Sequence, residues 1–164
     1  MKGQIWSFDF AVSMTIFISL LVVVLFFWNY SNSQVFEKTQ QEDLQDAIIT
    51  VSDILVRNKG SPENWTAATV QSIGLANDEK ILDQNKILNF TQIPYDQAKW
   101  LMGIGKYEFY FEMNYANGSS VNLGGIDVTA GQVPTNSASV STIERFVLFQ
   151  GKITSVTLTL WTRK

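Results

Sequence analysis

An unbroken apolar stretch occupies the beginning of the chain. Residues 10–28, FAVSMTIFISLLVVVLFFW, contain no charged residue, glycine or proline over nineteen positions. As an α-helix this stretch reaches about 28 Å, close to the roughly 30 Å hydrocarbon thickness of a bilayer. Trp6 precedes it, and Trp28 and Tyr30 lie at its far end, where aromatic side chains favour the membrane interface. The pattern predicts a membrane-spanning helix.

A helical pattern of a different kind follows the apolar stretch. Four apolar residues recur at spacings of four, three and four, which places them on one face of an amphipathic helix over residues 34–57: Leu44, Ile48, Val51 and Leu55. Gly60, as a left-handed cap, and Pro62 end this helix. Because no helix breaker lies between Phe10 and Asn58 except the polar patch from Asn29 to Ser33, the sequence predicts a nearly continuous helix of about fifty residues.

Short helices and then strands are predicted for the rest of the chain. The helices cover residues 66–72, 83–90 with Asp83 as cap, and 94–102. We expect three large apolar side chains in this region to anchor the core: Trp65, Trp100 and Ile104.

Alternation of apolar and polar residues marks the first long strand. Its apolar face carries five residues: Tyr107, Phe109, Phe111, Met113 and Tyr115. A two-residue turn at Asn117-Gly118 would put Val121 on the polar face, whereas a three-residue loop over 117–119 pairs Val121 with Tyr115. We prefer the second register because it keeps the apolar face intact.

A second hairpin closes the chain. It runs from Val140 to Phe149, turns at Gln150-Gly151 and returns over 152–162. Its return strand is predicted to point three apolar residues inward (Val156, Leu158 and Leu160) and three others outward (Thr157, Thr159 and Trp161). The predicted fold is therefore α+β, with a long helix packed on an antiparallel sheet of about four strands.

Composition removes several kinds of chemistry. The 164 residues include no cysteine and no histidine, which excludes a thiolate nucleophile, a Cys/His zinc site and a Ser-His-Asp triad within the chain. A net charge of −3 argues against nucleic-acid binding. Neighbouring carboxylates such as Glu42/Asp43 and Asp78/Glu79 are typical of solvated surfaces. We expect no enzymatic activity, no cofactor and no metal.

The apolar stretch has three possible interpretations, and the residues before it bear on the choice between them. A removable secretory signal has a shorter apolar region, of about 7–15 residues. A plain signal anchor fits the observed length. The third interpretation is suggested by a short basic leader, Met-Lys-Gly-Gln, and by the lone acid Asp9 just before Phe10. This arrangement resembles the class III signal segment of archaeal type IV pilin-like precursors.

The resemblance implies how the amino end is processed and used. In that family a prepilin peptidase cuts after a Gly or Ala that precedes Gln, so Gly3 would be the last leader residue and Gln4 the new N-terminus. The apolar helix, with Asp9 and Phe10 at its start, would then assemble with copies of itself or other pilins. The family usually has Glu at the fifth mature position, where it meets a neighbouring subunit's amine, whereas Asp9 would be sixth. Alternatively, Asp9 sits at the helix N-terminus and interacts with the helix dipole.

Four Asn-x-Ser/Thr sequons suit an exported body: Asn29, Asn64, Asn89 and Asn117. Lys2, the basic residue before the apolar helix, favours a cytoplasmic N-terminus and an extracellular body. The predicted organisation is a leader over 1–3, an apolar transmembrane and assembly helix over 4–33, and an extracytoplasmic α+β domain over 34–164.

Three functions are compatible with this organisation. The favoured one is a pilin-like subunit of an archaeal type IV pilus-like cell-surface filament, a glycoprotein with a role in adhesion. Its partners would be other pilins, the prepilin peptidase and membrane lipid before assembly. The alternatives are a monomeric membrane-anchored binding domain and, with least support, a membrane-anchored enzyme.

Overall fold

The computed structural model describes residues 3–163, and their side chains except those of residues 3–7 and 32–37. Helix α1 covers Gly3–Arg57, which includes the whole range predicted to be helical from Phe10 onward. The chain forms two compact units that meet between Glu42 and Asp43 within α1. Lys2, the residue on which the predicted orientation in the membrane depends, lies outside the described residues.

The second unit is an α+β domain. After α1 it contains two short helices and eight strands: β1 (Ala76–Asp78), β2 (Ile81–Leu82), α2 (Gln84–Gln92), α3 (Tyr95–Leu101), β3 (Glu108–Tyr115), β4 (Asn122–Leu123), β5 (Ile126–Asp127), β6 (Thr129–Gly131), β7 (Ser137–Phe149) and β8 (Lys152–Arg163). Six strands form one sheet in the order β1-β2-β7-β8-β3-β6, and β4 pairs with β5 separately. The long strands are antiparallel, while β2 runs parallel to β7.

The predicted α+β class is confirmed, but the expected sheet of about four antiparallel strands is wrong. The sheet has six strands and one parallel pairing. Its additional members β1, β2 and β6 are two or three residues long. Strands this short show no alternation of apolar and polar residues, so the sequence pattern cannot reveal them.

The core lies between one face of the sheet and the helices of the second unit. The four predicted residues of α1 are buried, as are Phe109, Phe111 and Met113 on β3 and Val156, Leu158 and Leu160 on β8. Phe90 of α2 packs edge-on against Phe111, with ring centroids 5.1 Å apart. The periodicities of 3.6 and 2 residues thus identified both apolar faces correctly.

The two hairpins differ in how well the sequence predicted them. Gln150 and Gly151 form the β7–β8 turn with φ of 50° and 74°, the left-handed conformation of a two-residue type I′ turn. In the earlier hairpin the predicted pairing of Val121 with Tyr115 is wrong, because the Val121 amide donates to the Met113 carbonyl at 2.9 Å. The loop still has three residues, but it covers 116–118. Val121 is buried all the same, because the pairing is shifted by two positions.

Two of the three predicted short helices are confirmed. The Asp83 carboxylate caps α2 by accepting hydrogen bonds from the amides of Asn85 and Lys86, and α3 starts directly after Pro94. The predicted helix over residues 66–72 is wrong, because this segment forms a turn and then an isolated β-bridge from Ser72 to Ser61. The Thr69 hydroxyl accepts a hydrogen bond from the Thr66 amide there, which favours a turn over a helix.

Three apolar or aromatic positions correct the predicted core. Trp65 and Ile104 are buried as expected, but Trp100 is 76% exposed. Conversely, Thr159 and Trp161 of β8 are buried although they were predicted to point outward. β8 lies between β7 and β3, so Trp161 has Val140 on one side and Glu108 on the other. The neighbouring side chains cover a face that alternation alone assigns to solvent.

The end of α1 is tied into the sheet by backbone hydrogen bonds. The carbonyls of Leu55 and Val56 accept from the amides of Leu75 and Lys80, at 2.9 and 3.1 Å. Gly60, predicted as a left-handed cap, has φ of 77°, but α1 already ends at Arg57. A Cβ at Gly60 would lie 2.5 Å from the Trp65 indole nitrogen, so close packing also requires glycine there.

Candidate functional site: an exposed apolar helix and a partly buried carboxylate cluster

The apolar half of α1 is the most unusual surface of the chain. Every side chain from Phe8 to Ser31 is exposed, and this 24-residue segment is long and apolar enough to cross a membrane. Phe26 is 80% exposed and Trp28 is 72% exposed. A soluble monomer rarely exposes so large an apolar surface. The segment therefore needs lipid or other protein around it.

Two hydroxyl groups in this segment form hydrogen bonds within the helix. The Thr15 hydroxyl donates to the Ala11 carbonyl, and the Ser19 hydroxyl donates to the Thr15 carbonyl, both at 2.8 Å. A hydroxyl bonded back to the preceding turn needs no water. The segment can consequently enter hydrocarbon without leaving these donors unpaired.

The predicted processing and assembly residues lie at the start of α1. Gly3 and Gln4 are the first two residues of the helix, and their side chains lie outside the described part of the structure. Asp9 and Phe10 are adjacent and exposed. Since α1 has no acidic residue in its first turn, Asp9 is too far along the helix for a strong interaction with the dipole.

The four sequons have different surroundings. Asn64 and Asn117 are exposed, and the Asn117 carbonyl oxygen accepts hydrogen bonds from the amide and hydroxyl of Ser119. Asn89 is half-buried in α2, where its side-chain amide donates to the Trp65 carbonyl at 3.3 Å. Asn29 lies within the apolar segment Phe8–Ser31. Asn64 and Asn117 are thus the better placed acceptors.

A partly buried carboxylate cluster joins α3, β3 and β8. The Glu108 carboxylate accepts from the Tyr95 hydroxyl and lies 3.2 Å from the Lys99 ammonium and 3.3 Å from the Arg163 guanidinium. The Tyr95 ring stacks on Phe109, and the Phe109 amide donates to the Tyr95 hydroxyl. No pattern in the sequence predicts this cluster. The spacing of four between Tyr95 and Lys99 indicates only that they share a helix face.

The cluster fixes the protonation states of its members. Burial would raise the pKa of Glu108, but the Tyr95 hydroxyl, Lys99 and Arg163 outweigh it and hold that pKa below its ordinary value. Burial and the neighbouring Glu108 carboxylate raise the pKa of Tyr95 to about 12. Glu108 is therefore an anion and Tyr95 a neutral donor at physiological pH. These states suit a structural clamp, because a general acid or base needs a pKa near the working pH.

We expect Glu108→Gln to destabilise the protein by about 1 kcal/mol at pH 7, because Lys99 loses its partly buried anionic partner. The lowered pKa means that this stabilisation is present above the ordinary glutamate pKa and is lost as the pH falls through the folded value. The difference in the free energy of unfolding between Glu108→Gln and the unmodified protein should thus become smaller toward pH 3. Denaturant unfolding of the full chain in detergent at both pH values measures it. Glu63→Gln is the control, since the Lys59–Glu63 pair is exposed and should contribute little. A pH-independent loss would contradict the assignment.

A charged notch lies beside the middle of β7. Its volume is about 260 Å³, and its lining includes Asp53, Arg57, Lys80, Glu144 and Arg145. Arg145 already has partners in the notch. Its guanidinium is 3.0 Å from the Asp53 carboxylate and donates to the Ser52 hydroxyl. The notch therefore carries both positive and negative side chains, and hydrogen-bond donors of Arg145 already bind groups of the protein itself.

None of these arrangements supplies the groups of a familiar hydrolytic or metal centre. Among the side chains that the structure describes, no three acidic groups come together as a metal site would require. The two acidic pairs noted in the sequence are exposed, and Asp43 forms an ion pair with Lys106 at 3.2 Å.

Comparisons with known proteins identify a family whose function is unknown. A protein-family model described as "Family of unknown function (DUF7287)" matches residues 1–162, almost the whole chain. No curated protein and no solved structure shows significant similarity to the chain. The match covers the apolar helix and the α+β domain together.

Proposed function

The chain belongs to the DUF7287 family of unknown function, and we propose that it is a non-enzymatic, pilin-like subunit of a type IV pilus-like surface filament. Its apolar helix anchors it in the membrane before assembly. The same helix then packs against other copies or other pilins within the filament. The α+β domain forms the filament surface and contributes to attachment.

The exposed apolar helix is the observation that carries this proposal. All of its side chains from Phe8 to Ser31 are exposed. Helices in a filament would bury these side chains against one another, replacing lipid by protein contacts. Asp9 supports the same proposal, because a carboxylate beside an apolar helix surface needs a positively charged or hydrogen-bonding partner. The amine of a neighbouring subunit's processed N-terminus would supply one.

The orientation that fits the proposal is cytoplasmic at the N-terminus and extracellular at the domain. The exposed sequons Asn64 and Asn117 belong to the domain and would be available for glycosylation there. The resemblance of the amino end to archaeal precursors suggests an archaeal cell surface. Prepilin peptidase is the processing partner, with cleavage between Gly3 and Gln4.

The test is the mature N-terminus and intact mass of the protein from its native membrane, together with electron microscopy of surface filaments. We expect a chain that begins at Gln4 and is present in filaments. Retention of Met1 would overturn the filament proposal in favour of an anchored domain. A start near Gln34 would instead indicate a secreted domain with a removed signal.

Matched variants sharpen this experiment. Gly3→Leu should block cleavage and abolish filaments, whereas Gly3→Ala should be processed because the peptidase accepts alanine before the cut. Asp9→Ala should be processed normally but assemble poorly, and Asp9→Glu should restore assembly. Unchanged filament yield in Asp9→Ala would remove the inter-subunit role of this carboxylate.

A monomeric anchored binding domain is the second candidate. Lipid alone can cover the apolar helix, so the exposed surface is compatible with a chain that never assembles. The two candidates separate on processing and on the Asp9 variants, since an anchor needs neither cleavage after Gly3 nor a carboxylate at position 9.

A further inference from the structure

Strand β7 has a long open edge within the described part of the chain. On one side it pairs with β8 along its length, but on the other it meets only β2, through Ile81 opposite Leu148. The Leu148 amide donates to the carbonyl of Lys80, just before β2, at 2.8 Å, which fixes the side of β7 that faces away from β8. Backbone groups alternate sides along a strand, so those of four further residues face the open edge: Val140, Thr142, Glu144 and Phe146. An unpaired edge of this kind is a template for an added strand.

The charged notch lies at the end of this open edge that is next to β2. Glu144 and Phe146 of β7 line it together with Lys80, which directly precedes β2, and Arg57, the last residue of α1. The Lys80 amide donates to the Val56 carbonyl at 3.1 Å, which holds the start of β2 against the end of α1. The open edge therefore runs into the notch and ends there.

Two cations of the notch have no anionic partner. Arg145 is paired with Asp53, whereas Arg57 and Lys80 form no side-chain ion pair or hydrogen bond with any residue that the structure describes. Glu144 is the unpaired anion of the same lining. The unpaired side chains thus leave an excess of one positive charge in the notch. A carboxylate that entered it would gain charge-assisted hydrogen bonds.

We propose that β7 binds an extended peptide as an added strand, parallel to β7, with the C-terminal carboxylate of the peptide in the notch beside Arg57 and Lys80. The peptide would lie in line with β2, which already runs parallel to β7, and would end before Lys80. The opposite direction would bring an N-terminal ammonium against the two cations. The unpaired backbone accounts for a strand and the unpaired cations account for its carboxyl end, so both observations select the same ligand.

The lining of the notch also predicts the last side chain of the peptide. Val56 and Phe146 supply the apolar part of the lining, and Phe146 is 64% exposed. An apolar side chain at the end of the peptide would cover this ring. The proposal goes beyond the filament function, since it uses neither the apolar helix nor the processed N-terminus.

Binding of synthetic peptides to the full chain in detergent tests the proposal. Heptapeptides with a free carboxyl end, valine as the last residue and the other six positions randomised are selected against the protein. The tightest binder is then made with a fluorescent label that blocks its amino end, and fluorescence anisotropy gives its affinity. We expect amidation of the carboxyl end to lower this affinity at least about tenfold, because hydrogen bonds between charged groups are lost. Methylation of the backbone amides that face β7 should also weaken binding, since it removes strand pairing.

Matched charge variants place the peptide at the notch. Arg57→Gln with Lys80→Gln should lower the affinity for the free-carboxyl peptide about tenfold or more. Lys59→Gln with Lys152→Gln removes the same charge from exposed positions outside the lining of the notch and should bind like the unmodified chain. The amidated peptide should bind both double variants and the unmodified chain alike, which shows that the fold of each variant is intact.

Each remaining outcome overturns the proposal. Equal affinities of the free and the amidated peptide would show that the notch does not bind a carboxylate. Equal binding to the two double variants would place the peptide on another surface, and a selection that yields no peptide would show that the edge does not accept a strand. Binding that is lost when the amino end is blocked would contradict the direction of the peptide. These results do not depend on cleavage after Gly3, so a failure here is distinguishable from a failure of the filament proposal.

Discussion

Phe111→Ala should destabilise the α+β domain by about 4 kcal/mol. The Phe111 side chain is fully buried, contacts the Phe90 ring edge-on and lies opposite Leu158 on β8. Its removal leaves a cavity between the sheet and α2 that rigid neighbours cannot fill. Domains of this size have a total free energy of unfolding of about 5–15 kcal/mol, so the loss should be evident in any denaturant titration. Far-UV circular dichroism of the full chain in detergent provides the measurement.

Trp100→Ala is the informative control, because the sequence pattern places Trp100 in the core and the structure exposes it. We expect it to change the free energy of unfolding by less than about 0.5 kcal/mol. A large loss for Trp100→Ala together with a small one for Phe111→Ala would contradict the arrangement of the core.

Paired arginines in the apolar helix should abolish stable membrane insertion. Leu20→Arg with Leu21→Arg places two charges near the middle of the segment Phe8–Ser31. Each arginine at the centre of a spanning helix costs about 3 kcal/mol, so the pair should shift insertion by about 6 kcal/mol. The measurement is the fraction of protein that resists alkaline carbonate extraction from the membrane.

The double change Leu20→Ala with Leu21→Ala controls for lost side-chain volume, and this variant should stay in the membrane. Carbonate-resistant protein from the double arginine variant would show that another surface holds the chain at the membrane. Its α+β domain should keep the unfolding midpoint of the unmodified chain, because Leu20 and Leu21 belong to the other compact unit.

The parts of the fold that sequence predicts are those in which one face of a regular element is buried. α1 and β3 meet this condition, so the positions of Leu44 and Phe109 follow from periodicity alone. β8 does not meet it, because Thr159 and Trp161 on its other face are buried as well. The short strands are too brief to show a periodic pattern, and the parallel pairing of β2 with β7 joins residues far apart along the chain, which no local pattern records.

The candidate sites likewise differ in whether the sequence alone can reveal them. The apolar helix and its processing motif are continuous in sequence and can be recognised there, although their function stays a proposal. The Glu108 cluster combines α3 with the last residues of β8, and Arg163 is 55 positions away from Glu108 along the chain. Only the β3–β8 pairing brings them together. The open edge of β7 likewise follows from which strands pair, a property of topology.

The hydrogen bonds at the end of α1 also have a mechanical meaning. The carbonyls of Leu55 and Val56 hold the segment from Leu75 to Lys80, and the Lys80 carbonyl in turn holds the Leu148 amide of β7. Tension applied along α1 would therefore pass into a 13-residue strand that is paired along its whole length with β8. Strands loaded along their length must break many hydrogen bonds together before they slide. A pull on the helix would be borne by the sheet as a whole, so the domain should resist extension better than a helix with a free end.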